Sequence, residues 1–175
     1  MILSYKQKFP WGEPTYFREQ IRNTAFDYIG SCISQYDNEG NNLSDLWIVN
    51  RKIHTIRDDI YNRWKPGMII QHAYGVRTSN YECFATGQCI HIQILKIEKV
   101  SWRDIITDPR QIKAIEMTPG KDSDVFQLYV DGRLLNGSEI NFLAKNDGFS
   151  STADFLRWFK EPGVKKIIHF TDFKY

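Results

Sequence analysis

Residues 125–137 read VFQLYVDGRLLNG, and the fold class turns on them. Two short runs of aliphatic and aromatic side chains flank Asp131-Gly132, a dipeptide whose positions both tolerate positive φ, so the segment predicts two strands joined in a tight hairpin. The chain beyond it is helical in pattern. Ser138 is placed to cap EINFLAKNDG, with Gly148 as its stop. Ser150 or Ser151 then opens a second helix, TADFLRWF, on which Phe155, Leu156, Trp158 and Phe159 form a broad apolar face. Pro162-Gly163 ends that helix, and KKIIHFTDFKY supplies a last strand. A hairpin, two helices and a returning strand do not make βαβ alternation. The order points to an α+β fold with a mixed or antiparallel sheet that curls into a small barrel.

Upstream of the hairpin the same grammar continues. QCIHIQILKIE, at 88–98, alternates strictly: Ile90, Ile92 and Ile94 on one face, His91, Gln93 and Leu95 on the other, as in a central strand. KPG at 65–67 makes a turn into GMIIQHAYG, another strand, and ILSYK near the N-terminus reads as a third. Pro14 suits the first turn of a helix through TYFREQI. From Phe17, the positions Ile21, Ala25, Tyr28 or Ile29, Cys32 and Tyr36 carry helical spacing onward. DNEGNN at 37–42 reads as a loop, and 101–107 as a short helix.

The chain has 175 residues, which favours one domain with a real core, and 42% hydrophobic against 25% charged residues excludes wholesale disorder. A formal net charge of +2 does not by itself imply a nucleic-acid partner. Its distribution is more informative. Between Arg51 and Arg77 the basic residues are Arg51, Lys52, Arg57, Arg63, Lys65 and Arg77 against Asp58 and Asp59, six minus two, a local +4. Such a run is either a solvated face or a phosphate-facing patch. Cys32, Cys83 and Cys89 form no disulfide framework, so a reducing, cytoplasmic setting is expected. MILSYKQKF lacks a signal-peptide core, no apolar run nears the roughly 18 residues of a membrane span, and no membrane role is expected. The gap between Cys83 and Cys89 is not a zinc knuckle, so these two and His91 read as packing residues with no metal expected.

Within that basic run, residues 52–59 read KIHTIRDD. In a strict strand Thr55 and Arg57 share a face and Lys52 points to the other. A bend near His54, or a turn before the strand, would instead bring Lys52 beside Thr55. In a pocket poor in water, such a lysine can lose its proton and activate the hydroxyl, while Arg57 offers a planar fork for phosphate or carboxylate. The plain alternative is Lys52 and Arg57 in solvent, Thr55 in a sheet, and Ile53 and Ile56 in the core.

KIHTIRDD followed by RWKPG and a strand, then by FLAKNDGFSSTADFLRWF and a terminal IIHFTDFKY, resembles the ASCH domains of the PUA-like superfamily. The likeness covers most of 45–175 with the N-terminal strand and helix, and stretches at about 22–44 and 100–124 read as insertions into a single domain spanning 1–175. It implies a PUA-like pseudobarrel with flanking helices, and a cleft that holds RNA or a modified nucleotide. No cofactor is implied. In that setting Arg57, Arg63, Lys65 and Arg77 would meet phosphate, and Trp64 or Tyr74 would stack a base. Some small bacterial members are amidohydrolases of N4-acetylcytidine; carried over by motif, their lysine, threonine and acid fall on Lys52, Thr55 and Asp147. Here the sequence departs from the family, whose acid is a glutamate one methylene longer. RNA or nucleotide binding is the first expectation, deacylation of an acylated nucleoside the alternative, and a protein-interaction fold with a vestigial cleft the weakest.

Overall fold

The computed structural model describes residues 1–27, 51–101 and 125–175. The expected continuation of the first helix to Tyr36, the 37–42 loop, the 101–107 helix and most of both insertions lie outside the described residues. Elements run β1 (Ile2–Ser4), α1 (Phe17–Asp27), β2 (His54–Arg57), β3 (Ile69–Tyr74), β4 (Glu82–Gln88), β5 (His91–Val100), β6 (Val125–Val130), β7 (Arg133–Leu134), α2 (Gly137–Asn146), α3 (Thr152–Trp158) and β8 (Gly163–His169). The class is α+β. One sheet has the order β1-β3-β4 and the other β2-β8-β5-β6-β7, and every pairing is antiparallel except β1 with β3.

The hairpin is the one the sequence predicts: Asp131 and Gly132 both take positive φ, 49° and 85°, and Val130 pairs with Arg133. β5 is central, lying between β8 and β6. Its buried face is Gln93, Leu95 and Ile97, whereas Ile94 is exposed. Alternation in sequence gives the two faces but not which one meets the core.

Two helix starts differ from expectation. Pro14 is not in a helical first turn; it bridges to Lys8 in extended backbone, and the Thr15 hydroxyl donates to the Lys6 carbonyl at 2.7 Å. Tyr16, at φ 53°, then turns the chain into α1. α2 is capped by Asn136 rather than Ser138, because Asn136 and Glu139 form a reciprocal capping box that satisfies two backbone N–H groups. α3 begins as expected, with Ser151 accepting from the Asp154 N–H.

Between α2 and α3, Gly148 takes φ +88°, and a Cβ there would run into Gln20 Oε1 and lie 3.1 Å from the Phe17 ring. Gly148→Ala is therefore expected to destabilise the domain by roughly 2 kcal/mol or more, from left-handed strain plus overpacking. A urea midpoint equal to that of the parent would show that α1 and the α2–α3 turn are not tightly apposed.

Phe149, the next residue, is the hub of the aromatic core. Its ring meets Phe9, Phe17, Phe155, Trp158 and Phe159 at centroid distances of 5.4–6.0 Å. This cluster ties the N-terminal loop, α1 and α3 together, and through Phe17 it forms one wall around the buried Lys52.

Candidate functional site

KIHTIRDD is part strand and part irregular backbone. β2 starts only at His54; before it, the Ile53 N–H donates to the Asn146 carbonyl at the end of α2, and the Ile53 carbonyl accepts from Phe170. The irregular backbone thus lies before the strand, not at a bend in it, and is docked onto α2. It turns Lys52 inward, where its ammonium donates to both the carboxylate and the backbone carbonyl of Asp147. Lys52, Thr55 and Asp147 are only 1%, 2% and 3% exposed, so these groups lie in the interior and not on a solvated face.

A ring of polar and aromatic groups surrounds this pair. Lys52 Nζ lies 4.4 Å from the centre of the Phe17 ring, a cation–π contact in a dry setting. The Ile56 backbone N–H of β2 also favours the ionised Asp147 carboxylate. Thr55 shares a side-chain hydrogen bond with Tyr5, and Tyr5 shares another with His72 Nδ1 at 2.9 Å. Arg57 donates to the Ser4 carbonyl at 2.9 Å, and its guanidinium sits 5.2 Å from the Tyr5 ring centre. Burial pulls Lys52 down to about 8 against the attraction of Asp147. It pushes Asp147 up against the attraction of Lys52. Both shifts favour a proton shared between the partners over two full charges. Burial also raises Tyr5, which stays protonated, and lowers His72 to about 4, which stays neutral at pH 7.

The remaining sequence candidates do not converge here. Trp64 and Tyr74 are 5% and 6% exposed and belong to the core, so the expected base stacking on either is not supported by their burial. Trp64 is held by its N–H donating to Asp59, and the Tyr74 hydroxyl accepts from the Arg18 N–H. Arg63, Lys65 and Arg77 are exposed. Arg63 runs back to Asp59 at 3.8 Å and lies over Tyr61. The expected +4 patch is therefore divided: Lys52 is internal, Arg57 is half-buried on Ser4 and Tyr5, and the others are at the surface.

The two aspartates that close KIHTIRDD have other work. Asp58 pairs with Lys165 at 2.7 Å and Asp59 with Lys166 at 2.9 Å, fastening the loop after β2 to β8. Asp59 also accepts the Arg63 and Trp64 N–H groups. Burial would raise its pKa, but those N–H groups and Lys166 prevail and hold it at about 2.

Tyr5, Phe17 and His72 were not legible as site residues. They come from the segment after β1, from α1 and from β3, and nothing in their local sequence links them to KIHTIRDD. Cys89 is buried and Cys83 exposed, and both thiols contact backbone carbonyls. Among the described residues no group of three or more histidine, cysteine, aspartate or glutamate side chains is arranged to hold a metal ion. No described helix is long and apolar enough to cross a membrane. Comparisons with protein-family models, curated proteins and solved structures find no match.

Proposed function

We propose that the chain is an ASCH-type domain, that its two sheets form a PUA-like pseudobarrel, and that the Lys52 cluster binds an acylated nucleoside and hydrolyses its amide. The observation that carries this reading is the buried pairing of Lys52 with Asp147, with Thr55 also buried three residues along the same segment and Lys52 drawn down to about 8. A lysine so placed is a base at mildly alkaline pH. Thr55 Oγ attacks the amide carbonyl carbon while its proton passes to neutral Lys52. The C–N bond then breaks, the departing amine takes a proton from the Lys52–Asp147 pair, and an ester is left on Thr55. Water, deprotonated by Lys52, cleaves that ester and releases the acid. The reading requires substrate to displace part of the wall formed by Tyr5 and Phe17.

Incubation with N4-acetylcytidine tests it. Release of cytidine is expected, rising with pH through about 8 because only neutral Lys52 accepts the proton. Thr55→Val should abolish turnover, and Lys52→Arg should do the same because arginine stays protonated. No turnover by the folded parent protein at any pH between 7 and 9 would overturn the hydrolase reading. A second reading, RNA or nucleotide binding without chemistry, is favoured by the exposure of Arg63, Lys65 and Arg77. Under that reading RNA affinity falls steeply with salt and N4-acetylcytidine is left intact.

A further inference from the structure

A groove of about 420 Å³ is lined by Lys6, Pro10, Trp11, Arg157, Trp158 and Lys160. None of these belongs to the Lys52 cluster. Three of the six are cations, none is an acid, and no carboxylate among the described residues pairs with Lys6, Arg157 or Lys160. Three positive charges around one concavity, none of them in an ion pair with a described residue, favour an anion.

The groove is also stiff. Phe9 and Trp11 stack in parallel, 4.7 Å apart with 2° between planes, and Trp158 meets both edge-on at 5.6 and 6.4 Å. The loop that carries Trp11 is closed by Phe9 N–H to Glu13 carbonyl at 2.8 Å and by Gly12 N–H to Phe9 carbonyl at 3.0 Å. Gly12 turns it at φ +99°. The Trp11 indole N–H donates to Glu13 at 3.2 Å. On this frame the Arg157 guanidinium lies 4.4 Å from the Trp11 ring centre, and the Lys6 ammonium 5.6 Å from that of Trp158. A guanidinium held over an indole by a cation–π contact still has N–H donors for a second partner, and the contact limits the freedom that binding would otherwise have to remove.

We propose that this groove is a second ligand site that takes the phosphate of a nucleotide or of single-stranded nucleic acid, with Arg157 as the fork, Lys6 and Lys160 as flanking charges, and Pro10 and Trp158 against the adjoining sugar or base. The volume is that of a small-ligand site, and the mixture of cations with aromatic surface suits a phosphate ester better than a bare anion. The proposal is independent of any chemistry at Lys52.

The test monitors the indole N–H resonances of Trp11 and Trp158 by NMR while the full chain is titrated with uridine 5′-monophosphate, uridine, inorganic phosphate and a short oligouridylate. The monophosphate should shift both indoles and uridine should not. The surface double variant R157Q/K160Q should weaken monophosphate binding by at least about tenfold, the scale of a 1.4 kcal/mol loss. Competition by inorganic phosphate would mark the free nucleotide as the source of the anion, and tighter, salt-sensitive binding of the oligouridylate would mark a nucleic-acid backbone; either supports the site. Uridine binding as well as its monophosphate, unchanged affinity in R157Q/K160Q, unmoved indoles, or capture by anionic vesicles that the monophosphate does not compete with would each overturn it.

Discussion

Replacing Asp147 with alanine is expected to cost about 3–5 kcal/mol of stability, enough to unfold many domains of this size at ordinary temperature. The lysine that faces it is 1% exposed, and its other polar contact is the Asp147 carbonyl. With the carboxylate gone, the ammonium must stay charged in a dry pocket, shed its proton, or pull the segment before β2 into water. Shedding the proton limits the loss but does not remove it, since burial already draws Lys52 down to about 8 with Asp147 present. Urea denaturation is the measurement. The companion variant Lys52→Met/Asp147→Leu should recover most of the loss, because an apolar pair of similar volume needs no desolvation of charge. If Asp147→Ala lies within about 0.5 kcal/mol of the parent, the ordinary range for surface changes, Lys52 has found solvent and the closed cluster is wrong. The comparison also separates stability from chemistry: a hydrolase would lose its turnover in the double variant even where the fold is restored.

Acid should unfold the protein well above the pH at which its carboxylates titrate. Three of the four histidines form a row across the larger sheet, His54 opposite His169 opposite His91. The ring centroids of His54 and His169 are 5.3 Å apart, and those of His169 and His91 4.1 Å. Tyr175 caps the row from the C-terminus, 5.6 Å from His54; Lys52 is the charge that acts on His54, and Asp131, Asp172 and Lys174 act on His91 and His169. Both ring nitrogens of His169 and Nε2 of His54 are buried without a partner among the described residues. Burial, reinforced by the neighbouring imidazole in each case, lowers His54 well below its ordinary value and His169 to about 3; His72, in the other sheet, is lowered to about 4.

Each folded value lies below the unfolded value of about 6.5, so on acidification the unfolded chain takes up protons that the folded chain refuses. Stability is fully present above pH 6.5 and is lost as pH falls toward the folded values. At pH 5 each such histidine has withdrawn up to about 2 kcal/mol, and the three together rival the whole stability of an ordinary domain. Urea midpoints should fall sharply between pH 7.5 and pH 5, and His169→Phe should flatten that fall. Midpoints that do not change over this range would mean that the row is open to water.

How far the sequence reaches can be judged from particular elements. The Asp131-Gly132 hairpin, the Ser151 cap, the KPG turn and the strand at β5 were legible because each is fixed by short-range chemistry: positive φ, a hydroxyl on a free N–H, or a period of two. Pro14 misled because its extended pairing with Lys8 and the Thr15 bond to Lys6 outweigh a local preference for a helical first turn. Ser138 misled because two residues upstream Asn136 closes a box with Glu139. That Lys52 and Thr55 lie in one short segment is a property of the sequence. That Asp147 meets Lys52, that Trp64 and Tyr74 are core while Arg63 is surface, and that three histidines align in register are decided by the tertiary structure. The physical reason is range: caps, turns and alternation depend on neighbours a few residues away. By contrast, the inward turn of Lys52 is set by Ile53 docking on Asn146, more than ninety positions along the chain.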